Sequence, residues 1–111
     1  MDHGTVSDPV AEALRELRRE YRAEAPARVA ELEQALAALR AREDGAEAAL
    51  GVLCHRLAGS GGAYGFPEVS TVARELERLV RSEPDWTDAR LEELQAGIRD
   101  IAAAFARGGA D

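Results

Sequence analysis

Apolar residues recur at three- and four-residue intervals along nearly the whole chain, the spacing of helices that each bury one stripe. Asp8-Pro9 reads as a helix start, a capping carboxylate followed by proline at the first helical position. Val10, Leu14, Leu17 and Tyr21 supply the first stripe. Pro26 interrupts it, because proline lacks an N–H and crowds the carbonyl four residues back. The pattern resumes with Val29, Leu32, Leu36 and Leu39; two helices, or one bent at Pro26, satisfy it equally. Glu43-Asp44-Gly45 closes this segment, and Asp44 is the expected cap of a helix that ends near Gly65. Phe66-Pro67 opens the next helix, with Val69, Val72, Ala73, Leu76, Leu79 and Val80 inward. Arg74, Arg78 and Arg81 lie outside that stripe, where a solvated face paired with Glu75 and Glu77 is their simplest role. A turn from Ser82 to Thr87 holds Pro84 and Trp86. Asp85 or Thr87 is expected to cap the last helix, and Trp86 to cover one end of the fold with its indole N–H near water. Leu91, Leu94, Ile98, Ile101 and Phe105 form the final stripe, ended by Gly108-Gly109.

Short turns between consecutive helices make antiparallel neighbours, and no run reads as a strand bounded by turns. The expected fold is all-α: an antiparallel up-and-down four-helix bundle with an additional N-terminal helix. That extra helix, before Pro26, is expected to lean on or cap one end. Residues 1–7 are expected to be a flexible tail, 8–107 the bundle and 108–111 a flexible C-terminus.

Composition narrows the function. The 111 residues suit one domain, and the core must be aliphatic because aromatics make up only 5 %. The net charge is −7, and every basic residue is arginine. That balance argues against nucleic acid and against anionic membranes, both of which call for a basic surface, and it suits a protein partner. Cys54 stands alone and points inward on its helix, a small buried hydrophobe. No apolar run is long enough to span a bilayer. The opening MDHGTVSDP has neither the basic start nor the apolar segment of a signal peptide, so a cytoplasmic location is expected. His3, without partners in the tail, is expected to be inert.

The stretch from Leu50 to Phe66 departs from this plain pattern. At about 100° per residue, Leu50, Leu53, Cys54, Leu57, Gly61 and Tyr64 share one side and His55 falls nearly opposite. Its neighbours one turn away are Gly51, Ala58, Gly59 and Gly62. Each interior glycine costs a helix about 0.8–1.0 kcal/mol relative to alanine, and here the losses cluster around one imidazole. Bare backbone beside a nucleophile lets another surface approach closely. Other chemistries find no support. GSGGAYG lacks the Gly-Lys-Ser/Thr ending and the preceding strand of a phosphate loop, and Tyr64 occupies the third glycine of a dinucleotide fingerprint. One histidine, one buried thiol and scattered carboxylates make no metal site. No Ser-His-Asp grouping or accompanying acid is present for a small hydrolase.

His55, Leu57, Gly59, Ser60 and Gly65 match H-x-L-x-G-S-x-x-x-x-G, and the stretch resembles histidine-containing phosphotransfer (HPt) domains. Phe66 and the amphipathic helix reaching Leu76-Glu77 look like that family too. One position departs from it: the usual lysine three residues after the histidine is Ala58. The resemblance implies a phosphocarrier without kinase activity, in which His55 is the phosphorylated nucleophile of a multistep phosphorelay. It implies receiver domains and a (hybrid) histidine kinase as partners, with Mg²⁺ and the phosphorylatable aspartate in the receiver and no cofactor on this chain. Neutral imidazole attacks phosphorus through a ring nitrogen, and phosphoryl transfer otherwise needs positioning and charge neutralisation. In that setting Gly59 keeps the face low, Gly51 and Gly62 extend it, and the Ser60 hydroxyl bonds back to its helix. Arg56 lies about 100° round from His55, a poor angle for replacing the lysine, and Arg74 or Arg78 can do so from the next helix. The chain is expected to be a monomer. The alternative function is a helical adaptor that binds a receiver or kinase with His55 unphosphorylated, which Ala58 favours.

Overall fold

The computed structural model describes residues 8–82 and 85–108. Those residues form five helices: α1 (Pro9–Ala23), α2 (Ala25–Arg40), α3 (Ala46–Ala63), α4 (Pro67–Ser82) and α5 (Asp88–Arg107). Helices α2 to α5 close a ring in which each packs on two others, α2 against α3 and α5, and α4 against α3 and α5. The register of α3 and α4 runs antiparallel, since Gly51 faces Val80, His55 meets Glu77 and Gly61 faces Val69. The expected bundle with its extra N-terminal helix is the observed architecture. The expected tail, Pro84 in its turn and the last three residues lie outside the described residues.

Each stripe goes inward as its spacing requires. Leu32, Leu36, Leu39, Leu50, Cys54, Leu57, Val69, Ala73, Leu76 and Val80 are buried, as are Leu91, Leu94, Ile98, Ile101 and Phe105. The aromatic residues mark the two ends. Tyr21 stacks on Tyr64 at 4.8 Å between centroids and tilts against Phe66 and Phe105 at 5.5 and 5.7 Å. Trp86 closes the opposite end. Its indole N–H donates to Glu47 Oε2 at 3.0 Å instead of reaching water, and the Arg90 guanidinium lies 4.1 Å over its ring.

The chain is interrupted at Glu24, two residues before Pro26, so α1 and α2 are separate helices. Glu24 nevertheless keeps right-handed helical dihedrals, φ −84° and ψ −5°. The second half of α1 engages the bundle end: Tyr21 is buried, the Arg22 guanidinium donates to the Gly108 carbonyl, and the Arg18 side chain lies against Gly65. Val10, Leu14 and Leu17 of the same stripe remain exposed, at 67, 50 and 42 %. The N-terminal helix thus caps the bundle with its second half and leaves its earlier apolar positions unburied.

Helix ends follow local chemistry. Asp8 accepts from the Val10 N–H, and Thr87, not Asp85, accepts from the Arg90 N–H to cap α5. The cap of α3 is Gly45 at φ +82°, not Asp44. A left-handed residue is required there, and glycine adopts it without a Cβ penalty. Gly65, at φ +88°, ends the α3 region in the same way and turns the chain into α4.

Candidate functional site

His55 sits in the middle of α3 with its side chain 71 % exposed. The leucine stripe beneath it is anchored in the core, so the backbone that carries the ring is held by Leu50, Cys54 and Leu57. Its Nδ1 lies 3.0 Å from Glu77 Oε2 on α4. Glu77 is mostly enclosed, 13 % exposed, and the same oxygen receives Nη2 of Arg81 at 2.9 Å. A carboxylate offers no proton, so the ring's N–H stands on Nδ1 and donates to Glu77. In the neutral ring Nε2 then carries the lone pair.

The glycines do not act as one sheet of bare backbone. Gly59 is exposed, and a Cβ built on it meets nothing within 4 Å. Gly62 is exposed beside the Ser70 hydroxyl. Gly51 is buried, its Cβ direction 3.6 Å from the Val80 side chain, so it serves the α3–α4 contact. Gly61, which faces inward, would bring a Cβ within 3.1 Å of the Ser70 N and the Val69 side chain. Ala58 is also buried, at 6 % exposure. Its carbonyl accepts from the buried Ser70 hydroxyl at 2.5 Å, a link that sequence patterning missed because serine reads as a surface residue. Val52, one turn before His55, is exposed at 46 % and adds an apolar side chain to the face.

Ser60 does not bond back to its helix. Its hydroxyl pairs with the Tyr21 hydroxyl at 2.5 Å, tying α3 to α1. Burial holds the Tyr21 phenol above its ordinary value of 10.0, and the Ser60 bond offsets part of that rise. Below His55, burial pushes the Cys54 thiol up to about 12, with the Glu77 charge adding to the effect. Cys54 is therefore held as a neutral thiol in the core.

A shallow hollow of about 240 Å³ flanks the imidazole, lined by His55, Ala58, Gly59, Arg74 and Glu77. Arg56 is absent from it and lines a separate hollow with Arg28 and Glu31 of α2. Arg78 lies in a third, between α4 and α5. The arrangement thus presents one ring nitrogen open to solvent, a carboxylate behind it that Arg81 also holds, and the Arg74 guanidinium beside it, on a surface kept low by Gly59.

The Hpt domain family model matches residues 16–104. The chain belongs to the Hpt domain family. No curated protein and no solved structure gives a match. Hpt domains serve histidine phosphotransfer in phosphorelays, together with histidine kinases and receiver domains, and are carriers, not kinases. The Hpt match begins within α1, so its span covers the whole α2–α5 bundle up to the last turn of α5. Among the described residues of this Hpt domain, no group of three or more metal-ligating side chains occurs. Among the described residues, no helix is long and apolar enough to cross a membrane.

Proposed function

We propose that this Hpt domain is a phosphocarrier whose His55 Nε2 takes a phosphoryl group from one receiver aspartate and returns it to another. The observation that carries this reading is the 3.0 Å contact between His55 Nδ1 and Glu77, made on a ring that is otherwise open to solvent. In the acceptor step, the Nε2 lone pair forms a P–N bond. The P–O bond to the aspartyl carboxylate breaks, and the carboxylate leaves with its electron pair. The ring keeps its Nδ1 proton and becomes cationic, and Glu77 faces that new charge. The reverse step restores the neutral ring. Glu77 thus favours the reactive tautomer before transfer and stabilises the charged ring after it.

Gly59 allows a receiver's acidic pocket, which brings the aspartate and Mg²⁺, to come close to Nε2 without meeting a side chain. Val52 and Gly62 flank His55 on the same exposed surface, and Gly51, Ala58 and Ser60 support it from within the fold. Partner specificity, monomeric state and cytoplasmic residence are part of this reading. The proposal is tested by phosphorylating the chain from a receiver and locating the phosphorus by ¹⁵N NMR of the histidine ring. Phosphorus on Nε2 is expected; phosphorus on Nδ1 would overturn the role given to Glu77.

A further inference from the structure

The hollow beside His55 contains a cation that the fold leaves unused. Glu77 is committed to both the His55 ring and Arg81. Arg74, on the same exposed side of α4, forms no hydrogen bond or ion pair with any described residue. Of the other arginines of α3 and α4, Arg56 faces α2 and Arg78 faces α5, and Arg81 shares the Glu77 oxygen with His55, so its charge is already paired.

We propose that Arg74 is the phosphate-contacting residue of this Hpt domain, gripping the phosphoryl oxygens on His55 from α4. The inference rests on His55 being the carrier. A phosphoryl group brings a charge of about −1.5 to −2, and it arrives beside the Glu77 carboxylate on a chain of net charge −7. Arg81 already pairs with Glu77, so the added phosphoryl charge calls for a further cation. The buried methyl of Ala58 and the missing side chain of Gly59 leave the hollow open above α3. A guanidinium reaching in from α4 fills that space, and its planar donor fork suits phosphoryl oxygens. Arg74 takes no proton and forms no covalent bond. It donates N–H groups to the oxygens while the P–N bond forms and while it breaks.

The test uses the full chain and phosphoramidate as a small phosphoryl donor. In that reaction Nε2 forms the P–N bond and ammonia leaves with the electron pair of the broken bond. Labelling rate and phosphohistidine lifetime are measured for the native chain, Arg74→Gln, Arg74→Lys and Arg78→Gln, with thermal melts alongside. Arg74→Gln is expected to label about tenfold more slowly, as for one lost charge-assisted hydrogen bond, and to show a weaker dependence of rate on salt. Arg74→Lys is expected to recover most of the rate, and Arg78→Gln to match the native chain. Native rate and salt dependence in Arg74→Gln would overturn the role of Arg74 while His55 remained the carrier. An equal loss in Arg78→Gln would also overturn it, by showing that net charge alone matters. A native chain that cannot be labelled would remove the carrier reading and this inference together.

Discussion

Nδ1 of His55 and Oε2 of Glu77 stand 3.0 Å apart, across the antiparallel contact between α3 and α4. The pair joins an exposed imidazole to a carboxylate that is itself held by Arg81. Glu77→Ala is therefore expected to raise the share of the Nε2–H tautomer and to slow phosphoryl transfer about fivefold. That is about 1 kcal/mol, below the ~1.5–3 kcal/mol usual for a hydrogen bond to a charged group, because solvent screens an exposed ring. Histidine ¹⁵N shifts read the tautomer, and single-turnover labelling reads the rate. An unchanged tautomer ratio would refute the pairing.

Gly59 and Gly97 should answer the same substitution oppositely. Nothing lies within 4 Å of a Cβ at Gly59, so Gly59→Ala removes a helix penalty and is expected to stabilise the fold by about 0.8–1.0 kcal/mol. A Cβ at Gly97 collides with the buried Leu76 side chain on α4. Gly97→Ala is expected to destabilise by about 1–3 kcal/mol, the usual cost of overpacking. Urea melts decide both. Gly59→Leu is expected to keep the fold yet block transfer from a receiver, because the added side chain stands beside His55.

The two parts of α1 should differ as sharply. Tyr21 is buried among Tyr64, Phe66 and Phe105 and bonds Ser60. Its replacement by alanine is expected to cost about 3–5 kcal/mol. Leu14→Ala, at a half-exposed position, is expected to cost under about 0.5 kcal/mol. Comparable losses in chemical denaturation would contradict the exposed placement of α1.

Alkaline pH should weaken the fold through Cys54. Its ordinary value of 9.0 is pushed up to about 12 by burial and then by Glu77. Between those values the unfolded chain has lost the thiol proton that the native chain keeps. Stability is therefore undiminished below about pH 9 and falls as pH rises toward about 12. Tyr21, raised by burial, acts in the same direction at higher pH. Melting temperatures across that window should fall less steeply for Cys54→Ala than for the native chain, and equal slopes would count against the buried thiol.

Much of the fold was legible in apolar spacing, because a bundle's core is built from stripes that a 3.6-residue period reveals. The ring of α2–α5, the left-handed Gly65 and the Thr87 cap all follow from local rules. Local rules could not reach features made by distant residues. Asp44 was a sound cap candidate, but the geometry of the turn demanded a left-handed Gly45. Val10, Leu14 and Leu17 have a core spacing, and among the described residues no helix covers them. Around His55, helical angles alone placed Gly51 and Ala58 on the open face, whereas α4 covers both. The same packing brings Glu77 to Nδ1, a contact across 22 residues that no pattern within α3 could disclose. The Ser60 hydroxyl likewise found Tyr21, 39 residues away, instead of its own helix.

The most direct test of the central claim is phosphoryl transfer from a panel of phosphorylated receiver domains to the native chain and to His55→Gln. The account predicts rapid labelling of the native chain, lost in acid and kept in base, and none on His55→Gln at unchanged helical content. Label retained on His55→Gln would contradict it, and so would a native chain that binds a receiver tightly yet never takes up phosphate.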